Sequence, residues 1–182
     1  MKKIILLALV LWASGNMLFA QKYLTRTGQI SFTASTPLET INPVNNESAT
    51  ILDGATGDVI VETLIKGFKF KITLMQEHFN EEYMESDKFP KASFRGKITD
   101  INKVDFAKDG TYQVHVNGKL TMHGVTRDIS IPANIKVTGN DITVTSTFSV
   151  APEDYQISIP SLVRNKIAKT VQISMNALLH KR

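Results

Sequence analysis

Residues 110–138, GTYQVHVNGKLTMHGVTRDISIPANIKVT, hold two long strand-like runs on either side of a short reversal. Apolar and polar side chains alternate from Gly110 to His123, and the alternation returns from Val125 to Thr138. Because a strand directs successive side chains to opposite faces, each run has one apolar face and one wet face. This pattern is typical of an antiparallel sheet that is buried on one side.

The same period of two recurs along the chain and predicts an all-β fold. Further alternating runs begin near Ile30, Phe68, Ile142 and Val171, and glycine-containing turn signals separate them. About eight such strands can form either a closed barrel or a two-layer sandwich. We favour an eight-stranded antiparallel barrel, because the strands are long and closure removes exposed sheet edges.

Local signals refine this prediction. Asp109-Gly110 has the composition of a tight hairpin turn. Pro132 interrupts its strand pattern and is expected at an edge or a bulge, since it cannot donate to a ladder. The segment 37–48 is rich in Asn, Pro and Thr and predicts a surface loop.

One segment, 75–86, departs from the strand period. Met75, Phe79 and Tyr83 are spaced by four residues, with glutamates between them, which is a helical spacing. Phe89-Pro90 follows and would end the helix. We expect one short amphipathic helix packed across an opening or a side of the sheet.

The first twenty residues have the order of a secretory signal. Lys2 and Lys3 precede an apolar run from Ile4 to Trp12, and the small residue Ala20 comes just before residue 21. The apolar run is shorter than the ~20 residues of a spanning helix. We predict a cleaved signal peptide at 1–20 and one barrel domain at 21–182, periplasmic in a Gram-negative cell. An uncleaved anchor is the alternative.

Composition bounds the remaining function classes. The 182 residues include no cysteine, which excludes disulfides, thiolate catalysis and cysteine metal sites. The net charge of +4 comes without a basic run, so nucleic acid is not an expected partner. The four histidines lack metal-ligand spacing, and no nucleophile elbow or phosphate loop is present. We therefore expect no enzyme, no metal and no cofactor; a lipid hydrolase or isomerase would have only His123 and Glu77 as candidates.

Two stretches resemble the YceI-like family. One is the hairpin 118–132, GKLTMHGVTRDISIP, and the other is the segment 78–94, HFNEEYMESDKFPKASF; the tail from Ile157 to Ile173 is similar to the closing segment of that family. The resemblance covers most of the chain from about Val59 onward. It implies an extended, exported, lipocalin-like barrel with a long apolar lumen, in which some members hold a polyisoprenoid.

An eight-stranded barrel is either filled by its own side chains or holds one small ligand. The small residues Gly118, Ala133, Ser146 and Ala177 stand at inward positions and are expected to leave a channel. The candidate lumen residues are apolar and inward-facing: Phe32, Phe68, Phe70, Phe94, Tyr112, Val114, Val116, Met122, Ile135, Val144, Phe148 and Ile173.

These observations favour a carrier of an isoprenoid or similar lipid that contacts membranes transiently and forms a possible homodimer. Candidate head-group contacts are His123 in the reversal and Arg164 and Lys166 in the loop before the last strand. For His123 the alternative role is to bond the backbone and fix the reversal. The alternative function is an adaptor with a filled barrel and no ligand.

Overall fold

The computed structural model describes residues 21–182, which form a closed barrel of eight antiparallel strands in sequential order. The predicted signal peptide, 1–20, lies outside the described residues. The strands are β1 Lys22–Thr33, β2 Val44–Asp53, β3 Asp58–Leu64, β4 Lys91–Ile98, β5 Gly110–Met122, β6 Val125–Thr138, β7 Asp141–Val150 and β8 Val171–Lys181. The helix α1 is Thr73–His78, and a wider turn, Phe79–Tyr83, continues it.

The predicted barrel is confirmed, and with it the short helix. β1 pairs with β8 as well as with β2, so the sheet closes on itself. The reversal between β5 and β6 is a two-residue turn in which His123 and Gly124 have φ angles of 50° and 75°. Two consecutive left-handed residues give the type I′ geometry that matches the twist of paired strands.

The hairpin predicted at Asp109-Gly110 is wrong. Residues 99–109 form a longer connection between β4 and β5 that folds back over the barrel end and places Val104 and Phe106 in the core. Asp109 instead accepts a hydrogen bond from the backbone amide of Gly139, at 2.8 Å. The apolar residues before Asp109 belong to a cap over the barrel end and not to a strand.

Two other predictions fail on either side of the barrel entrance. The loop predicted at 37–48 gives way to β2 at Val44, because the inward residues Asn45, Ser48 and Thr50 are polar and conceal the strand pattern. The run from Phe68 to Leu74 is not a regular strand: one backbone bridge joins Lys69 to Val44, and α1 begins at Thr73.

Pro132 lies inside β6, opposite His115, in a register without a bulge. Pairing of β6 with β7 begins one residue later, at Ala133. The carbonyl of Pro132 accepts a hydrogen bond from the Ser146 hydroxyl at 2.6 Å. The proline nitrogen, which has no hydrogen to donate, therefore faces the end of the β6–β7 ladder. The prediction of an edge or a bulge is therefore wrong: β6 is paired with both β5 and β7 in the closed barrel, and Pro132 is accommodated where the ladder with β7 ends.

The core fills one end of the barrel, which we call the closed end. Tyr23 stacks on Phe106 with ring centroids 5.6 Å apart, and Leu52, Ile142 and Leu179 around them are fully buried. Such packing leaves no space for a ligand there, so a binding site has to lie toward the other end of the barrel.

Candidate functional site

A cavity of about 400 Å³ occupies the other end of the barrel, which we call the open end. Its wall comes from the strands and its rim from three segments: the loop after β1, the helix, and residues 157–167 before β8. The wall and floor residues include Ile30, Val61, Phe94, Leu120, Met122, Ile131, Phe148, Ile173 and Met175. The surface is almost entirely apolar, so it suits a hydrocarbon and offers little to a polar molecule.

Four phenylalanines form an aromatic cluster on one side of the cavity. Phe79 of the turn that follows α1 lies 5.0 Å from Phe70, 5.4 Å from Phe32 and 5.8 Å from Phe68, between ring centroids. Phe32 also contacts Phe68, at 5.4 Å. Tilted ring pairs at these distances stabilise each other beyond the area they bury. The cluster therefore holds the helix against the first strand at the cavity entrance.

The turn that follows α1 lets the helix present several apolar residues to the cavity. Met84 donates its backbone amide to Phe79, five residues back, at 2.9 Å, which widens this turn. Met75, Phe79, Tyr83 and Met84 all line the cavity as a result. Three of them, Met75, Phe79 and Tyr83, are the residues whose spacing predicted the helix, so its apolar face is the inner face of the rim.

Phe94 forms the boundary between the cavity and the closed end. Its ring covers the pair Gly96 and Gly118, where a Cβ atom would come within 2.6 Å and 2.8 Å of the ring. Only glycine leaves room for an aromatic ring flat against the sheet at this point. The two glycines therefore make room for the Phe94 ring, which forms the floor of the cavity, and not for a ligand.

Polar groups at the cavity are few and lie mainly at the rim. Glu39 and Lys166 border the entrance, and His78 contacts Glu82 with Nδ1 2.8 Å from Oε1. Burial and, secondarily, the charge of Glu82 raise the pKa of Tyr83, so its phenol stays protonated well above neutral pH. A charged or polar head group could be met at this rim, whereas the interior offers it no partner.

The structure divides the candidate lumen residues into two groups. Phe32, Phe68, Phe70, Phe94, Met122, Phe148 and Ile173 line the cavity. The remaining five lie toward the closed end in or against the packed core: Tyr112, Val114, Val116, Ile135 and Val144. The alternation identified the inward faces of β5, β6 and β7, which carry these five residues, but it carries no signal for the depth at which packing ends and open space begins.

The expected channel of small residues is also divided. Ser146 lines the cavity. Gly118 lies under Phe94, while Ala133 and Ala177 are buried in the core. Of the four small residues, only Ser146 therefore borders open space.

His123 belongs to a clasp outside the cavity. Its Nδ1 lies 3.0 Å from the carbonyl oxygen of Tyr155, its Nε2 lies 2.9 Å from Glu85, and Phe89 packs on its ring at 4.8 Å. Glu85, His123 and Gln156, next to Tyr155, all have positive φ angles. The clasp joins the end of the helix segment, the β5–β6 hairpin and the turn after β7. This contact favours the backbone-fixing role of His123 over a head-group role.

The two loop cations differ in position. Lys166 lines the cavity entrance, whereas Arg164 is exposed and does not line it. The apolar residues of the same segment also line the cavity and were not among the predicted lumen residues. Ile157 and Ile159 alternate, and Val163 and Ile167 are four residues apart, which was the available signal.

The structure separates the two residues that were candidates for catalysis, His123 and Glu77. His123 contacts Glu85 and not Glu77, so the two candidates for catalysis do not form a pair. Among residues 21–182, no three histidine or acidic side chains lie together as a metal site would need. No helix within that range is both long and apolar enough to cross a bilayer.

Comparison with known proteins agrees with the resemblance described above. The YceI-like domain matches residues 19–179. No curated protein matches the sequence. A polyisoprenoid binding domain from Saccharophagus degradans superimposes with a TM-score of 0.77 at 15% identity, over 90% of this chain and 99% of that domain.

Two further solved structures share the fold. Burkholderia cenocepacia BcnA aligns with a TM-score of 0.69 at 16% identity, over 84% of this chain and 95% of BcnA. The Campylobacter jejuni YCEI protein aligns with a TM-score of 0.55 at 17% identity, over 75% of this chain and 80% of that chain. At such identities the likeness concerns the fold alone.

Proposed function

The chain belongs to the YceI-like family, and from that premise we propose that it carries one hydrophobic molecule, an isoprenoid or similar lipid, in the cavity at the open end. The observation that carries the proposal is the apolar cavity of about 400 Å³, within the range typical of small-molecule sites. The fold that the chain shares with the polyisoprenoid binding domain from Saccharophagus degradans supports the proposal.

The mechanism is burial without chemistry. Each methylene group that leaves water for the cavity contributes about 0.8 kcal/mol, so a tail can bind well without polar contacts. Lys166 at the entrance is the head-group contact that we retain, and Glu39 lies at the same rim. A neutral or anionic head group would remain at the entrance, in contact with water.

The adaptor alternative required a barrel filled by its own side chains. The closed end is filled, but the open end is not. The cavity therefore favours a carrier over an adaptor.

The first experiment is organic extraction of purified protein followed by mass spectrometry. We expect a co-purifying isoprenoid or a related lipid, and delipidated protein should bind a dansyl-labelled farnesol probe with a rise in Tm. Neither a co-purifying lipid nor any probe binding would overturn the proposal.

A matched pair of variants then places the ligand. Ala92 lines the cavity, and Ala92→Trp would fill part of it with an indole ring. Ala107 is exposed in the connection at the closed end, so Ala107→Trp introduces the same side chain away from the cavity. We expect probe affinity to fall at least about tenfold for Ala92→Trp and to stay unchanged for Ala107→Trp. Equal affinity in both variants, each shown to be folded by circular dichroism, would place the ligand elsewhere.

Export is a further part of the proposal, supported by the order of charged, apolar and small residues in 1–20. N-terminal sequencing of the protein recovered from the periplasm should begin at Gln21. Recovery of the uncleaved chain with the membrane fraction would favour the anchor alternative. The homodimer stays a prediction.

A further inference from the structure

Exposed apolar side chains are concentrated around the entrance of the cavity. Leu162 is 91% exposed, Leu38 66%, Leu74 58% and Ile72 50%. The other exposed large hydrophobic residues of the described chain, Ile51, Leu64 and Leu178, lie on three separate strands. A soluble protein gains nothing from exposing such side chains at one place, and a contiguous apolar patch commonly marks an interaction surface.

These four residues come from three rim segments that contact one another. Leu38 and Ile72 line the same shallow groove, which adjoins the cavity through Glu39, Ile41 and Met75. The segment that carries Leu162 is tied to the loop after β1, because the amide of Ala168 donates to the carbonyl of Ala34 at 2.9 Å. We call these four exposed side chains, which lie on the three segments that border the opening, the rim patch.

Cationic side chains flank the rim patch on the loop side. Lys69 and Lys71 lie beside Ile72, and Arg164, Lys166 and Lys169 follow Leu162; all five are exposed. Within the described residues none of the five forms an ion pair. Their charges are free to meet an external anion.

The helix side of the rim differs in charge. Glu77 and Glu81 are exposed on the helical segment after Leu74, and Glu82 is held by His78. The rim is therefore asymmetric. On the loop side the leucines are accompanied by five cations and one carboxylate, Glu39, whereas on the helix side Leu74 is accompanied by carboxylates. A negatively charged surface would attract the loop side and tilt the helix side away.

We propose that the rim patch docks on the surface of an anionic phospholipid bilayer, with the loop side inserted, so that a lipid passes between the bilayer and the cavity without crossing water. The inference rests on the proposed carrier function and adds to it the membrane surface that the cavity entrance contacts. Exposed leucines that enter the interface and cations that meet anionic head groups are the two forces that hold peripheral proteins on membranes. The position of both around the cavity opening supports a bilayer over a protein partner.

Cosedimentation with vesicles tests the charge contribution. Wild-type protein should sediment with mixed phosphatidylglycerol–phosphatidylcholine vesicles and much less with phosphatidylcholine vesicles. Since each surface cation contributes about 1 kcal/mol, Lys71→Glu with Arg164→Glu should lower partitioning at least about tenfold. The control, Arg26→Glu with Lys136→Glu, makes the same exchange at exposed strand positions outside the rim patch and should partition nearly as wild type, with the smaller loss that any change in net charge causes.

A second pair tests the apolar contribution. Leu38→Ser with Leu162→Ser should lower partitioning about tenfold, because two leucine side chains no longer enter the interface. The control, Ile51→Ser with Leu178→Ser, removes exposed apolar side chains from the barrel wall and should leave partitioning unchanged. Equal partitioning of the rim and wall variants would overturn the docking surface. So would a rim variant that converts a dimer to a monomer on size exclusion without changing sedimentation, because the patch would then cover a second copy.

Failure of docking and failure of the carrier function can be told apart. None of the four rim substitutions replaces a residue that lines the cavity, so farnesol-probe binding without vesicles should stay as in wild type. A wild-type protein that binds the probe but does not sediment with phosphatidylglycerol vesicles overturns docking alone. A protein that sediments but binds no probe overturns the carrier function.

Discussion

At the scale of single residues, Gly118 shows how one missing side chain sets the depth of the cavity. A Cβ atom there would press on the Arg95 carbonyl oxygen and lie 2.8 Å from the Phe94 ring. Because backbone lies on one side and an aromatic ring on the other, an added methyl group could not move away from both contacts. The position therefore requires glycine although its φ angle is ordinary.

Gly118→Ala should destabilise the protein by about 1–3 kcal/mol, the usual cost of overpacking a filled site. Gly139→Asn is the control, since Gly139 has a φ of 58° with no neighbour within 4 Å, and asparagine tolerates that conformation. Urea denaturation should show a clear loss for the first and almost none for the second. An unchanged midpoint for Gly118→Ala would mean that Phe94 moves freely and does not define the floor.

His123 is the second residue whose role depends on its neighbours. His123→Asn keeps a side chain that accepts the left-handed conformation but cannot span from Tyr155 to Glu85. The loss of hydrogen bonds at a side chain only 10% exposed should cost about 1–3 kcal/mol. His180→Asn, which breaks an exposed pair with Asp141, should cost less than 1 kcal/mol. Equal losses for the two variants in urea denaturation would contradict the clasp.

At the scale of elements, the sequence predicted those parts of the barrel in which side-chain period and burial agree. The β5–β6 hairpin was found because its alternation runs without interruption into a two-residue turn. β2 was missed because Asn45, inward and fully buried, bonds the Thr63 hydroxyl and the Leu64 carbonyl where β2 and β3 separate. A single sequence carries no sign that an inward polar residue has a partner in a strand eighteen residues away.

The segment before the helix shows the opposite error, because there the side-chain pattern predicted too much. The spacing within the helix predicted an amphipathic element, but the alternation of Phe68 and Phe70 before it predicted a strand that the structure lacks. Those two rings face the cavity entrance because they meet Phe79 and Phe32. Tertiary packing of aromatic side chains thus imitates strand alternation locally.

The aromatic cluster leads to a prediction about the helix as an element. Phe79→Ala removes the ring that three other phenylalanines contact, and should destabilise the protein by roughly 2 kcal/mol, less than a fully buried ring would. Because the helix loses its main anchor, the farnesol probe should dissociate faster in stopped-flow measurements. Glu81→Ala, on the exposed side of the same segment, is the control. An unchanged dissociation rate for Phe79→Ala would show that the ligand does not leave past the helix.

At the scale of the whole molecule, the barrel consists of a filled half and a hollow half. Toward the open end two strand pairs come apart: β2 and β3 pair only as far as Ala49 and Glu62, and β6 and β7 only as far as Ala133 and Ser146. The first gap is crossed by buried polar bonds from Asn45, and the segment after β7 is held beside the second by the clasp. The hollow half is therefore built from loops, helix and partial ladders, whereas the filled half is defined by its packed core.

This division predicts an uneven response of the molecule to its ligand. Backbone groups held by few buried contacts open locally, so amides in 68–84 and 157–167 should exchange hydrogen faster than those of β5 and β6 near Val114 and Ile135. Binding of the farnesol probe fills the hollow half and ties its rim to the ligand, so protection should rise most in those two rim segments and the difference between the halves should narrow. Hydrogen–deuterium exchange with mass spectrometry, with and without probe, measures both effects. Ala92→Trp supplies the control, because its cavity is already occupied and the probe should change its exchange little. A uniform gain in amide protection along all eight strands, with no larger gain in the two rim segments, would mean that the ligand stabilises the barrel without contacting the hollow half.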